Sequence, residues 1–318
     1  FGGHLGVYLL CVCIALIGVT VGYPLISQIY QKHYPDDSRG RLFAFTGVVR
    51  KAAALVMAAL FGVMLRKSLD GYTWLLAVYG VACVGMAGTV LLMGRVQLER
   101  SKRVQFFSAF EHVGRDREFR HLLVAWMILG FGNLLCWALF VEYISNPDYG
   151  YTLDEFSIGF ITGSIPEVMF LLFVVAWGHI FDRVNFFVVR AAINLLFVVG
   201  IFFYFVPHGV WALCVGIAFH GLARSGGTIA WSLWVTKFAK GEHVAEYMSV
   251  HTFLCGIRGI AAPFIAFYVA SLPWAGPRAV AFTSIALILI ATAMLLPSMR
   301  LGPARRAGRV VEPDPRVG

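Results

Sequence analysis

The stretch VVAWGHIFDRVNFFVVR, residues 174–190, places an acid and a base between two runs of apolar side chains. Each flanking run continues far enough to cross a bilayer, for which about 20 apolar residues suffice. Gly178 allows a tight exit from the first helix. Asp182 can accept hydrogen bonds from the amide groups that begin the next helix. The stretch therefore predicts two membrane-crossing helices joined by a short polar turn.

The composition of the whole chain extends this interpretation. Of its 318 residues, 59% are hydrophobic and 14% are charged, and the mean hydropathy is +0.76. A soluble domain carries about 25% charged residues. Long continuous apolar runs indicate helices rather than the short alternating strands of a membrane barrel. We expect an all-α polytopic membrane protein with nine visible transmembrane helices, at about 5–30, 42–65, 72–94, 121–144, 156–178, 184–206, 209–236, 246–271 and 279–299.

The distribution of lysine and arginine predicts the orientation of these helices. Loops that should share one side of the membrane hold 18 basic residues, whereas the opposite loops hold only Arg66, Lys67 and Arg278. Cytoplasmic loops are enriched in basic residues, so we expect a cytoplasmic C-terminus in a protein of the bacterial inner membrane. The net charge of +9 is then a signal of topology. Membrane lipids are expected partners, and nucleic acid is not.

Two segments lie outside the predicted helices. The loop 95–120 contains Phe106, Phe107 and Phe110 among charged residues, a pattern typical of an amphipathic helix on the inner leaflet. The tail 300–318 is rich in proline and arginine, so we expect it to be disordered and cytoplasmic. The six cysteines all fall within apolar runs and lack metal-ligand spacing. We therefore expect buried free thiols, with no metal site and no cofactor.

The turn in residues 174–190 resembles the signature loop of the major facilitator superfamily, roughly Gly-x-Leu-Ala-Asp-Arg-x-Gly-Arg-Lys. That loop joins the second and third helices of each six-helix bundle in the family. Gly178, Ile180, Asp182 and Arg183 match it, and Asn-Phe-Phe replaces its Gly-Arg-Lys half. The resemblance implies a role in the gating motion between inward- and outward-open forms. The alternative is a capped turn, in which Arg183 and Arg190 reach Asp182 or lipid phosphates.

A second stretch, GYPLISQIYQKHYPDDSRGRLFAFTG at residues 22–47, resembles an inner loop of the same family. A faint internal repeat relates residues 22–42 to residues 227–247. Bundles related by such repeats are typical of transporters. The resemblance implies a chain truncated at its N-terminus, with nine visible helices of an expected twelve. Its parts would be the last three helices of the first bundle (1–94), an inter-bundle loop (95–120) and a complete second bundle (121–299).

Ionisable side chains at membrane depth are costly, so each one is a candidate site residue. Glu167, near the middle of the bilayer, is expected to couple a proton or cation or to pair with a cavity arginine. The alternative is a structural ion pair with Arg224 or Arg258. His220 and Arg224 lie four residues apart on one helix face and are expected to line the pathway. Arg258 lies within GIRG, residues 256–259, whose glycines would leave room for its guanidinium.

Two further pairs are candidates for the cavity. Arg50 and Lys51 either line the pathway or extend to phosphates of the inner leaflet. Asn133 and Trp137 are spaced by four residues and offer a hydrogen bond and a stacking face, or else they pack between helices.

The balance of charge at membrane depth predicts the substrate class. Four bases face one clearly deep acid, so an electropositive cavity and a small organic anion, or an acidic or phosphorylated sugar, are expected. The resemblance implies a monomeric secondary transporter that works by alternating access, coupled to a proton or sodium ion. An intramembrane lipid-modifying enzyme would need paired acids or a His-Glu-x-x-His pattern, neither of which occurs, so we expect no enzyme. A receptor or assembly subunit without transport is the other alternative.

Overall fold

The computed structural model describes residues 2–67, 72–92, 108–237 and 243–299, and these residues contain no strand. Within these ranges, nine helices of 19 residues or more lie at the positions of the nine apolar runs, and the number that crosses the membrane stays a prediction. In chain order the helices are α1 (Gly2–His33), α2 (Arg39–Lys67), α3 (Tyr72–Leu92), α4 (Glu111–Arg115), α5 (Arg117–Ser145), α6 (Glu155–Gly159), α7 (Ile165–Arg183), α8 (Phe186–Phe205), α9 (Val210–Leu233), α10 (Val244–Ser271) and α11 (Gly276–Met299).

Six helical stretches among the described residues combine the length and the hydropathy of a bilayer span. They are Leu9–His33, Arg117–Ser145, Phe156–Arg183, Phe186–Phe205, Val244–Ser271 and Gly276–Ser298. Helix α9, which carries His220, Arg224 and the pair Gly226-Gly227, lies outside this group. A helix that satisfies its own backbone hydrogen bonds is the structure that such apolar runs adopt in lipid.

Helices α5 and α7 to α11 pack together as one bundle. Small residues bring α8 and α9 close, since a Cβ atom added to Gly216 would lie 2.5 Å from the backbone nitrogen of Tyr204. Hydrogen bonds between side chains join α11 to its neighbours: the Cys136 thiol lies 3.1 Å from the Ser284 hydroxyl, and Asn194 donates to Thr292 at 2.9 Å. Close helix approach and interhelical hydrogen bonds are the means by which membrane helices associate.

One helix of this bundle is irregular near its start. Helices α6 and α7 are continuous through a π-helical turn, Phe160–Ser164, which ends just before Pro166. Proline has no amide hydrogen to donate, and π turns accommodate such breaks and recur at functional sites. Gly221 of α9 packs against this point, because a Cβ atom there would lie 2.6 Å from the Pro166 carbonyl oxygen. The irregular turn therefore fixes the position of Glu167, the residue that follows Pro166.

The first three helices meet this bundle through α1 and α2. Helix α1 packs against α10, and α2 packs against α7. Helix α5 begins at Arg117, earlier than predicted, because the Asp116 carboxylate accepts a hydrogen bond from the Phe119 amide at 2.9 Å. The proposed division into residues 1–94 and 121–299 stays a prediction.

The segment before α5 differs from the amphipathic helix predicted for 95–120. Its described part holds only the five-residue helix α4 and one preceding 3-10 turn. The Phe110 ring packs edge-on against Phe253 of α10, with 5.7 Å between ring centroids. This part therefore contacts α10, and the predicted position of the segment on the inner leaflet stays a prediction. Phe106, Phe107 and the tail 300–318 lie outside the described residues.

Candidate functional site

Three charged side chains from three helices meet where α2 contacts the second bundle. The Lys51 ammonium lies 2.8 Å from Glu167 Oε2, and the Arg224 guanidinium donates a hydrogen bond to Glu167 Oε1. Their side chains are 27–30% exposed. The structure thus forms the ion pair with Arg224 that the sequence left open and adds Lys51 from the first half. Arg258, the other predicted partner of Glu167, instead contacts Trp126 of α5.

This triad of Lys51, Glu167 and Arg224 rests on an aromatic ring. The Phe170 side chain is buried, and its ring centroid lies 5.4 Å from the Lys51 ammonium and 5.9 Å from the Arg224 guanidinium. Cations within about 6 Å of a ring centroid gain a favourable electrostatic contact. The triad therefore holds two cations against one carboxylate, next to an apolar wall. Arg50 lies on the exposed side of α2, so only Lys51 of this predicted pair turns inward.

His220, one turn before Arg224 on α9, is more deeply buried than that arginine. Its side chain is 4% exposed, and its ring lies 4.8 Å from that of Phe140 and 5.1 Å from that of Phe197. Aromatic rings of α5 and α8 thus enclose the imidazole, and the expectation that His220 lines the pathway stays a prediction.

The predicted pair Asn133 and Trp137 lies on α5 near this histidine. Trp137 is half exposed, and its ring centroid lies 6.2 Å from that of His220. The buried Oδ1 atom of Asn133 has no hydrogen-bond partner among the described residues. An open indole face and an unsatisfied amide oxygen fit a role in the cavity, which stays a prediction.

Arg258 of α10 reaches across to α5. Its Nη1 atom donates a hydrogen bond to the Trp126 carbonyl oxygen at 2.6 Å. The expectation that Gly256 and Gly259 make room for it is wrong, because a Cβ atom at either glycine would meet nothing within 4 Å. The glycine that matters is Gly130 on the facing helix, where a Cβ atom would collide with the guanidinium.

Arg258 also borders a shallow, open cavity of about 370 Å³ between α5, α10 and α11. Small-molecule sites start at about 300 Å³ and combine apolar walls with a few polar groups. The surface of this cavity is almost wholly apolar, and Arg258 borders it together with Met127, Ile128, Phe131, Leu254, Ile257, Ala261 and Leu287.

Behind this cavity lies a cationic cluster that the sequence did not predict. The Arg190 guanidinium lies 4.2 Å from the ring centroid of Trp126, and the His251 ring lies 5.3 Å from the same residue. All three side chains are buried. The prediction that Arg190 reaches Asp182 or lipid phosphates is wrong, since its side chain points into the bundle. Neither Trp126 nor His251 has a motif or spacing in the sequence that predicts this cluster.

This cluster holds several unsatisfied polar atoms. Arg190 Nε, Arg258 Nε, Trp126 Nε1 and His251 Nδ1 are buried without a hydrogen-bond partner among the described residues. Leaving a buried polar group unpaired costs about 1–3 kcal/mol. Such groups in a native structure call for an explanation, of which a water or an ion is one.

At the end of α7, Asp182 makes its contacts across the two halves. Its Oδ1 atom accepts a hydrogen bond from the Gly40 amide at 2.6 Å, and Oδ2 accepts one from the Arg41 amide at 3.0 Å. Asp182 therefore caps the start of α2. The prediction that it caps the following helix is wrong, because Asn185 fills that role by accepting from the Phe187 amide at 3.0 Å.

Two glycines allow this approach. A Cβ atom at Gly40 would lie 2.7 Å from both the Gly178 carbonyl oxygen and Asp182 Oδ1, and one at Gly178 would lie 2.8 Å from the Ala44 Cβ atom. We call Gly40, Gly178 and Asp182 the inter-half latch. Arg183, the other predicted member of the motif, is exposed, and the Arg41 Nε atom lies 3.6 Å from Asp182 instead.

Basic residues surround the latch. Lys237, just after α9, lies 5.1 Å from the Phe181 ring centroid, and burial lowers the pKa of its ammonium while Asp182 opposes that shift. The buried Arg39 guanidinium donates to the Tyr34 carbonyl oxygen at 2.9 Å and fixes the turn before α2. The latch thus closes one end of the contact between the halves.

Comparisons with known proteins agree with this architecture. Among solved structures, the E. coli fucose:proton symporter FucP has a TM-score of 0.63 at 14% sequence identity, over 86% of this chain and 72% of that chain. Such a low identity shows a shared fold and no more. No curated protein matches the chain significantly.

The sequence itself also matches a family model. The model described as Major Facilitator Superfamily covers residues 2–263, most of the chain. Together with the apolar helices, this match makes the chain an integral multi-pass membrane protein of the secondary-transporter type. The chain belongs to the major facilitator superfamily.

Proposed function

We propose that this protein transports a small organic anion by alternating access between its two helical halves. The observation that carries the proposal is the position of Arg258, which lines the apolar cavity without a carboxylate partner among the described residues. A charged group at membrane depth is costly unless a counter-charge or a function offsets the cost. An anionic substrate supplies the missing counter-charge.

The cavity wall favours an organic acid over a sugar. Seven of the eight lining side chains are apolar, so the hydroxyl groups of a sugar would lose hydrogen bonds with water there without replacement. A carboxylate, in contrast, can bind Arg258 while its hydrocarbon part contacts the walls. An acidic or phosphorylated sugar is the second candidate, because a guanidinium also binds phosphate.

The cationic cluster behind the cavity supports the same substrate class. Arg190 does not line the cavity, but its charge adds to the potential that an anion near Trp126 would experience. Positive charge in a site walled by low-dielectric groups raises the local concentration of anions.

The inter-half latch and the triad provide elements that alternating access needs. Asp182 holds α2 against α7 in the described state, and opening at this end requires the loss of its two hydrogen bonds. Protonation of Glu167 would weaken its attraction to Lys51, which lies on the other half. We therefore propose Glu167 as the coupling site for a proton. The enrichment of basic residues in the loops supports a cytoplasmic position for this end.

Transport assays in proteoliposomes test the proposal. The full chain should take up labelled benzoate in preference to glucose 6-phosphate and to neutral fucose. Arg258→Gln should lower benzoate uptake at least tenfold, since it removes the cation of the cavity. The control, Arg115→Gln, alters a guanidinium that is 83% exposed and should leave uptake unchanged. Preferred uptake of fucose, or equal uptake by both variants, would contradict the proposal.

A further inference from the structure

Two imidazoles and one carboxylate converge at the end of the bundle that carries the latch. The Glu246 Oε2 atom lies 2.5 Å from His112 Nε2 and 3.0 Å from His243 Nδ1. One ligand atom from each of the three residues lies within 4.8 Å of the other two. His112 belongs to the segment before α5, whereas His243 and Glu246 begin α10. Distant parts of the chain thus bring these three groups together.

We propose that His112, His243 and Glu246 bind a divalent transition-metal ion of the Zn²⁺ class. Zinc prefers imidazole nitrogen and carboxylate oxygen at about 2.0–2.2 Å in tetrahedral geometry, which places neighbouring ligand atoms about 3.3 Å apart. The separations of 2.5 and 3.0 Å from Glu246 are shorter than that value, so the ligand atoms would have to move apart by less than 1 Å to admit the ion. Two histidines and one carboxylate leave a fourth position for water.

The surroundings of the cluster hold its ligands in place. The Tyr247 ring lies 5.0 Å from the His112 ring, and its hydroxyl donates to Asp116 Oδ2 at 2.9 Å. Asp116 in turn caps α5. Supporting contacts of this kind orient metal ligands in proteins. The three ligand side chains are 20–39% exposed, which gives an ion access from water.

The alternative is a cluster in which the imidazoles only hydrogen-bond to Glu246. Metal binding is distinguished from that cluster by a defined binding stoichiometry, by the spectrum of the bound ion and by the loss of binding when either histidine is replaced.

The proposed ion would connect two parts of the molecule. It would tie the segment that follows the first three helices to the start of α10, which itself packs against α1. This site is separate from Arg258 and the triad, and its test requires no transport.

Metal titration of the full chain tests the site. The protein, purified with a tag that lacks histidine and stripped with EDTA, should bind one equivalent of Zn²⁺ with a dissociation constant of micromolar or below. His112→Ala and His243→Ala should each weaken binding at least tenfold. His179→Ala is the matched control, because its exposed imidazole contacts only the Val175 carbonyl oxygen of its own helix in the described structure.

A spectroscopic measurement on the unaltered protein covers the case in which a variant fails to fold. Electron spin-echo modulation of bound Cu²⁺ should show two coordinated imidazoles. No stoichiometric binding, a single imidazole, or unchanged binding by folded His112→Ala and His243→Ala proteins would overturn the proposal and leave a hydrogen-bonded cluster only.

Discussion

The position of Glu167 along its helix predicts its depth in the membrane but not which cation it pairs with. Counting residues into its apolar run placed this carboxylate at mid-membrane, and its cost in lipid marked it as a candidate. The choice between Arg224 and Arg258 as partner depends on how α9 and α10 rotate and cross, which no local pattern specifies. Lys51 as a further partner depends on the contact between the two halves.

Removal of the carboxylate should destabilise the protein through the two cations that remain. Glu167→Gln leaves Lys51 and Arg224 close together, so the unfolding midpoint in detergent should fall. The double variant Lys51→Met/Glu167→Gln should recover part of that loss, because one cation is gone. Residues in direct contact couple by about 0.5–3 kcal/mol, and a double-mutant cycle of unfolding midpoints measures this term.

A surface carboxylate provides the comparison for that cycle. Glu111 is 56% exposed and forms only an ion pair within its own short segment in the described structure. Glu111→Gln should therefore leave the midpoint unchanged. Equal unfolding midpoints for Glu111→Gln and Glu167→Gln would show that the triad does not stabilise the fold.

At the scale of helices, the signature turn was identified correctly but its partner was not. The local sequence predicted that Asp182 caps α8, because the first amides of α8 come next in the chain. In the structure Asn185, three residues further on, satisfies that helix, and Asp182 is free to cap α2. Gly178 likewise serves a close approach to Gly40, rather than only a tight exit from α7. Contacts between elements distant in sequence decided both outcomes.

Two glycines of α2 give a matched test of the latch. Gly40→Ala places a Cβ atom 2.7 Å from the Gly178 carbonyl oxygen, so α2 and α7 must separate. Overpacking of this kind costs about 1–3 kcal/mol, and the unfolding midpoint should fall. Gly47→Ala meets its nearest neighbour, Val174, at 3.9 Å, an ordinary contact, and should have little effect. Equal midpoints for the two variants would argue against a close contact at Gly40.

For the whole molecule, the order and extent of the helices followed from the sequence because each apolar run must satisfy its own backbone. Helix α8, for example, was expected at 184–206 and spans Phe186–Phe205. The cluster of His112, His243 and Glu246 was not expected, because no single segment of the sequence contains all three residues at a metal-ligand spacing. Its members come together only when the segment before α5 folds back onto α10. The cluster around Trp126 likewise joins residues of α5, α8 and α10, so no single segment predicts it.

The proposed transport requires that two halves of the chain move against each other and that Asp182 holds one end closed. Pulsed electron resonance between spin labels at His33 and Arg183, which are exposed on opposite halves at that end, measures this motion in lipid nanodiscs. Two distance populations are predicted, and Asp182→Asn should deplete the shorter one because it weakens the cap on α2. A single narrow distance that Asp182→Asn leaves unchanged would contradict the claim.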